Sequence, residues 1–281
     1  MRSKSWRLAF AVLAVLAAGL AGREILTQWR AFRASGAHLE PRWSLIVGSS
    51  LVVLLAYAVL VETWRRTVRA WDAELPWIEA ARIWFISNLG RYLPGKVWQI
   101  GAMGVMAQER GVSVVAATGS ALVINLVNLL AGFGLVLVTG AEFFDARGAA
   151  IVLGVLLTTG IVLAPRIVPV AAHVAGRVLR RPLAVPRLPD RAVWLASIGC
   201  LVAWILYGVA FQIFVAGVLG SAPGRTTSYI AAFTGSYLAG YIALFAPGGI
   251  GVREKSLMLA LGQFGLAQAG QISGTVTSTA T

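Results

Sequence analysis

Residues 83–107 read IWFISNLGRYLPGKVWQIGAMGVMA. Both ends are apolar, but Arg91, Pro94, Gly95 and Lys96 fall in the middle. Proline lacks the backbone N–H that a helix needs and clashes with the preceding turn, so Pro-Gly stops a helix here. What lies on either side decides how that break is read. Long uncharged runs flank it: Trp43–Val61 before, Val112–Ala141 after. Further on come Gly148–Pro165, Ala192–Gly224, Thr226–Val252 and Ser256–Thr281, and near the start the shorter Leu8–Gly22. A helix crossing a bilayer takes about 20 apolar residues, with about 17 as a working minimum. Only 12% of the 281 residues are charged, roughly half the usual share in soluble domains. A soluble core is excluded. The expected fold is an all-α integral membrane protein, a polytopic helical bundle forming a single domain over 1–281. Spans are expected near 6–22, 43–61, 113–139, 148–165 and 193–219.

In that setting the break at Pro94 carries a constraint. Backbone freed from a helix cannot face lipid; it must be buried in protein or line a wet cavity. A re-entrant hairpin of two short helices satisfies this. A second segment has the same character. Residues 228–263 read SYIAAFTGSYLAGYIALFAPGGIGVREKSLMLALGQ, with Pro247, Gly248, Gly249 and Gly251 interrupting an apolar run just before Arg253, Glu254 and Lys255. Three spans separate the two breaks, and an odd number places the second hairpin on the opposite membrane face. Two re-entrant broken helices in corresponding positions are the sequence trace of an inverted repeat, and they point to a binding site.

The chain carries 24 Lys and Arg against 11 Asp and Glu. In a soluble protein that excess would suggest nucleic acid; no RNA-binding signature accompanies it, and no nucleic-acid partner is expected. Topology explains it instead. With the N-terminus inside, segments 1–7, 62–82, 108–112 and 166–191 hold 14 basic residues and the outer segments hold 6. Cytoplasmic loops collect Lys and Arg, so a multi-pass protein of the cell membrane with a cytoplasmic N-terminus is expected. Segment 62–82, which mixes Arg with Trp, reads as an interfacial helix, and 166–191 reads as a loop. Arg2, Lys4 and Arg7 before an apolar stretch also fit a signal peptide; a retained first span suits a chain that is membrane-embedded throughout.

Two segments carry a family resemblance. Arg91-Tyr-Leu-Pro-Gly-Lys-Val-Trp followed by Glu109-Arg-Gly-Val-Ser, and later Ala246-Pro-Gly-Gly-Ile-Gly-Val-Arg-Glu, resemble the signature segments of the lysylphosphatidylglycerol synthase transmembrane family, also described as flippase-like. The resemblance covers the chain from about residue 6 to its end. It implies a polytopic helical domain with re-entrant segments. In the synthases that domain accompanies an aminoacyl-transferase domain and moves the aminoacylated lipid between leaflets. Stand-alone members are linked to phospholipid or polyprenyl-phosphate traffic in cell-envelope assembly. These 281 residues leave no room for a transferase domain, so lysyl transfer is not carried over. The chain ends at Thr-Ser-Thr-Ala-Thr, where members continue through a further span; a truncated C-terminus is therefore one expectation.

The candidate site follows from the cost of charge. An ionised side chain at membrane depth costs about 2.5–3.5 kcal/mol on insertion scales, so it needs a partner, water or an anion. Arg91, Lys96 and Arg253 stand beside the two breaks. A lipid phosphate would satisfy them, by bidentate contact with arginine and as a counter-charge to lysine. Asn88 and Glu109 are placed with them, and Glu254 is expected to hold the arginines in position. Snorkelling to the interface, or ion pairing with Glu109 or Glu254, is the alternative for these cations. Asn125 and Asn128 could line the same cavity or bond between helices. Tyr92, Trp98, Tyr237 and Tyr241 read as interface or packing aromatics.

Catalytic readings are weaker. There is no phosphate-binding loop ending in Lys-Ser/Thr and no Gly-x-Ser-x-Gly elbow. Cys200 is the single cysteine, and His38 and His173 have no ligand-spaced neighbours, so neither a disulfide, a metal nor a cofactor is expected. The expected function is a lipid transporter or flippase-like protein that binds an anionic phospholipid or a polyprenyl-phosphate-linked lipid. A transferase acting on a lipid-linked sugar, with Glu109 and Glu254 as acid and base, is the second reading. A non-catalytic partner of a membrane glycosyltransferase is the third.

Overall fold

A computed structural model describes residues 41–71, 73–92, 98–141, 147–178, 189–243, 249 and 251–263, together with 23, 26 and 30, with backbone alone at 91–92, 167–178 and 263. Among these residues the chain is all helix: α1 (Trp43–Arg69), α2 (Trp77–Asn88), a 3-10 turn (Leu89–Tyr92), α3 (Trp98–Gln108), α4 (Val114–Thr139), α5 (Arg147–Val178), α6 (Asp190–Leu219), α7 (Thr226–Ile242) and α8 (Val252–Gln263). Helices α1, α4 and α6 and the Arg147–Arg166 part of α5 are long and apolar enough to cross a membrane. The others are shorter. At about 1.5 Å per residue, the 12 residues of α2 or α8 reach little more than half of a hydrocarbon core about 30 Å thick. Both segments marked by Pro-Gly are therefore broken into short helices, α2 with α3 and α7 with α8, and the arms of each pair touch. The expected span at 6–22 lies outside the described residues.

Two details differ from the sequence reading. Segment 62–82 is not a separate interfacial helix. Its first third continues α1 by two turns, and α2 begins only at Trp77. The charges that suggested an interface are absorbed locally: Glu62 accepts both Nε and Nη2 of Arg65, at 2.7 and 2.8 Å, and Nε of Arg66 at 2.6 Å. Cations at a helix C-terminus also suit the helix dipole. Segment 166–191 is likewise no simple loop, since α5 runs on to Val178. A basic residue such as Arg166 can sit in a helix that leaves the bilayer, which composition alone does not distinguish from a loop.

The Glu109-Arg-Gly-Val-Ser stretch turns out to be a connector built from caps. Gly111 has φ +81°, a left-handed conformation that glycine adopts without strain. The Val112 amide donates back to the Ala107 carbonyl at 3.2 Å and the Gly111 amide to that of Gln108 at 2.9 Å. These bonds end α3 in the manner of a Schellman cap. Ser113 then starts α4, its hydroxyl accepting from the Ala116 amide at 3.2 Å, an N-cap worth about 1 kcal/mol. Arg110 reaches across to Glu79 on α2 at 2.8 Å, which ties the open end of the α2–α3 pair.

Small residues allow the helices to approach closely. A Cβ at Gly199 of α6 would run into the Thr63 side chain of α1, and one at Gly208 would run into Ile230 of α7, including its Cα at 2.6 Å. Between helices in lipid there is no hydrophobic drive, so close van der Waals packing of this kind does the holding. The outer surface agrees. Leu51, Leu54, Leu122, Leu126, Leu156 and Ile198 are each more than half exposed. In water so much exposed aliphatic surface would drive aggregation; against acyl chains it costs nothing. Gly208→Ala is expected to destabilise the bundle by about 1–3 kcal/mol through overpacking. Thermal unfolding in detergent measures it, with Gly48→Ala as the control, since a Cβ there meets nothing within 4 Å. Equal melting temperatures for the two variants would contradict the close α6–α7 contact.

Candidate functional site

A cavity of about 260 Å³ lies among α1, α2, α3, α4, α6, α7 and α8. Four of its lining residues flank the two helix breaks: Asn88 and Gln99 on either side of the first, Tyr241 and Arg253 on either side of the second. Segments about 150 residues apart in sequence thus close on one space. Each break is made tight by glycine. A Cβ on Gly90 would stand 2.7 Å from the Gln99 backbone nitrogen, and one on Gly249 would stand 2.7 Å from the Gly240 carbonyl oxygen. At the first break a single glycine lets the chain come this close to the backbone of Trp98 and Gln99; at the second, glycine faces glycine.

One wall of the cavity is a run of side-chain amides. Gln99 Nε2 donates to Asn88 Oδ1 at 3.0 Å and more weakly to Asn125 Oδ1 at 3.4 Å. Asn88 and Asn125 in turn donate to carbonyls of their own helices, Trp84 at 2.7 Å and Ala121 at 2.8 Å. Those bonds fix the amide orientations and link α2, α3 and α4 across the first break. Asn128 lines the cavity on the next turn of α4, and its carbonyl accepts from Trp204 Nε1 at 2.9 Å.

The α6, α7 and α8 side of the cavity is aromatic and cationic. Trp204 meets Tyr237 edge to face at 5.0 Å, and Tyr207 stacks on Phe233 at 5.8 Å. Arg253 lies over both α7 rings, its Cζ 5.2 Å from the Phe233 centroid and 5.6 Å from that of Tyr237. Such contacts stabilise a guanidinium by about 0.5–2 kcal/mol and hold its plane in place. They do not neutralise it. Among the described residues the ion pairs join Arg65 and Arg66 to Glu62, Arg69 to Glu74 and Arg110 to Glu79, and Arg253 is in none of them.

The sequence-derived site is thus assembled in part. Asn88 and Arg253 line the cavity. Glu254 does not face it: it is exposed, and its Oε2 accepts the Gly251 amide at 2.7 Å, capping α8 in the reciprocal manner of a helix-start glutamate. It fulfils a capping role instead of holding Arg253. The same bond occupies one of the free amides that an anion at this helix start would use. Glu109 stands exposed at the end of α3, outside the cavity lining. Gly249 and Gly251 take left-handed conformations, φ +74° and +85°. Pro94, Gly95, Lys96, Pro247 and Gly248 lie outside the described residues, and of Arg91 only the backbone, in the 3-10 turn, is described. Sequence reasoning passed over Gln99, Trp204 and Tyr207 and treated Tyr237 and Tyr241 as packing. The available signal was Gln99 itself, an amide within an apolar stretch five residues after Pro94.

Neither a curated protein nor a solved structure matches the chain. The family model described as lysylphosphatidylglycerol synthase TM region matches residues 5–280. The membrane-length helices, the two broken segments and this match over nearly the whole chain agree, and the protein belongs to that family of membrane proteins.

Proposed function

We propose that the protein binds an anionic phospholipid, or a polyprenyl-phosphate-linked lipid, by its head group and moves it between leaflets as a flippase-like transporter. One observation carries this reading: a half-buried arginine with no carboxylate partner among the described residues stands in a cavity that side-chain amides also line, inside a membrane bundle. A charge in that position is costly unless an anion or water reaches it, and a lipid phosphate offers oxygens spaced for a guanidinium fork. The amides of Asn88, Gln99 and Asn125 supply further donors and acceptors for the head group's hydroxyls or ester oxygens. The two broken segments are read as re-entrant hairpins entering from opposite faces, related as an inverted repeat, with α4, α5 and α6 crossing between them.

Leaflet exchange in proteoliposomes tests the proposal. A transporter moves fluorescent phosphatidylglycerol without other proteins. A transferase on a lipid-linked sugar releases product alone, and a scaffold for a glycosyltransferase partner does neither. Either of the last two outcomes would displace the transport reading.

The proposed orientation puts the N-terminus in the cytoplasm, on the 14-to-6 distribution of basic residues. The α1–α2 connection then faces inward and the α6–α7 turn outward. A membrane-impermeant thiol reagent added outside intact cells is expected to label Ser221→Cys and to miss Glu74→Cys, both at exposed positions. The reverse pattern would invert the topology.

A further inference from the structure

A second concavity, of about 450 Å³, lies against the first. It is a groove between α1 and α6, lined by Ser50, Leu54, Ala210, Phe211 and Phe214, and it shares Val53, Tyr207 and Phe233 with the cavity that holds Arg253. Its outer edge opens to the membrane, since Leu54 and Phe214 are 59% and 45% exposed. Its chemistry is apolar throughout. Even the serines along it make no demand on a ligand, because Ser49 and Ser50 donate their hydroxyls to the Ile46 carbonyl at 2.7 and 3.0 Å.

Val53 and one aromatic pair lie between the two spaces. Phe233 has Tyr207 stacked on it and Arg253 over its ring, so the cation on one side and the groove on the other share a single ring. Resting on the head-group reading above, we propose that this groove receives an acyl chain of the same lipid whose head group meets Arg253, with the Tyr207–Phe233 pair as the partition that the lipid straddles. Continuity selects this occupant. A chain leaving the cavity past that pair enters the groove and meets the bilayer at Leu54 and Phe214. An acyl chain gains only packing there, because lipid tails are as apolar as the groove. The expected effect is therefore steric: filling the groove bars a chain-bearing lipid and leaves a chainless head group free to bind.

Ser50→Cys provides a handle that does not disturb folding, since position 50 is exposed and the native Cys200 is fully buried. The folded, purified protein is labelled there with pyrene maleimide. Leu55→Cys, also exposed but outside the groove, is labelled as the control. Binding of dioleoyl phosphatidylglycerol is read by native mass spectrometry, and binding of glycerol phosphate by calorimetry. Labelled Ser50→Cys is expected to lose at least ten-fold in phosphatidylglycerol affinity and to bind glycerol phosphate as the unlabelled protein does; the labelled control should match wild type in both. Unchanged phosphatidylglycerol binding by labelled Ser50→Cys overturns the groove while leaving the head-group site standing. Loss of both ligands overturns the division into two spaces. Failure of the wild type to bind either overturns the head-group reading and the groove with it.

Discussion

Arg253→Ala is expected to lower exchange of anionic lipid at least ten-fold in proteoliposomes while the protein still folds. The magnitude comes from the bond it removes. Hydrogen bonds to a charged group contribute about 1.5–3 kcal/mol, and each 1.4 kcal/mol is about a factor of ten. Folding should survive, because within the protein the guanidinium interacts with the rings of Phe233 and Tyr237, and removing it costs about 0.5–2 kcal/mol. Arg253→Lys keeps the charge and gives up the planar fork, so it should fall between alanine and wild type. The ordering, wild type above lysine above alanine, distinguishes a ligand site from a snorkelling charge, for which lysine would serve as well as arginine. Wild-type exchange by a folded Arg253→Ala protein would remove this residue from the site.

Gly249→Ala is expected to do equal damage to function by a different route. Two costs add at that position. Its φ of +74° is left-handed, which costs a side-chain-bearing residue about 1–2 kcal/mol. The new Cβ would also stand 2.7 Å from the Gly240 carbonyl oxygen and 2.8 Å from its Cα, and that obstacle is backbone, which cannot rotate aside. The turn must open, and α8 must then carry Arg253 away from Phe233 and Tyr237. Gly251→Ala separates the two costs. Its φ is also positive, at +85°, but a Cβ there meets nothing within 4 Å. Unfolding in detergent should place Gly249→Ala well below Gly251→Ala, and lipid exchange should fall in the first and largely persist in the second. Equal stability of the two variants would mean that the α7–α8 approach is not the constraint it is taken to be.

How much of this the sequence disclosed depends on which residues carry the information. The membrane-length helices were legible because a crossing leaves a compositional trace, a run without charge, at each of Trp43–Val61, Val112–Ala141, Gly148–Pro165 and Ala192–Gly224. The breaks were legible because proline and glycine act locally. Helix ends were not. The two extra turns of α1 contain Glu62, Arg65 and Arg66, which read as the start of a separate interfacial helix until they are seen paired along one face at the end of α1. The Glu109-Arg-Gly-Val-Ser stretch stood out as a signature, but its work as a double cap required the backbone path through Gly111.

The candidate site shows the same division. Asn88 and Arg253 were singled out for being polar beside a break, and both line the cavity. Glu254 looked like a partner for arginine because it is adjacent in sequence. On a helix, however, consecutive side chains point about 100° apart, and Glu254 turns back to Gly251 while Arg253 turns toward α7. The aromatic wall was not legible at all. Trp204, Tyr207 and Tyr237 are ordinary residues in apolar helices, and only the packing of α6 against α7 brings them together on the cavity that Arg253 also lines.

The most direct measurement uses phosphatidylglycerol with a photoreactive group on its head, crosslinked to the protein in vesicles and located by mass spectrometry. The arrangement predicts label on the peptides that flank both breaks, those holding Asn88, Gln99, Tyr241 and Arg253, and its loss in Arg253→Ala. Label confined to the lipid-facing belt around Leu51, Leu126 and Ile198, and unchanged in Arg253→Ala, would contradict it.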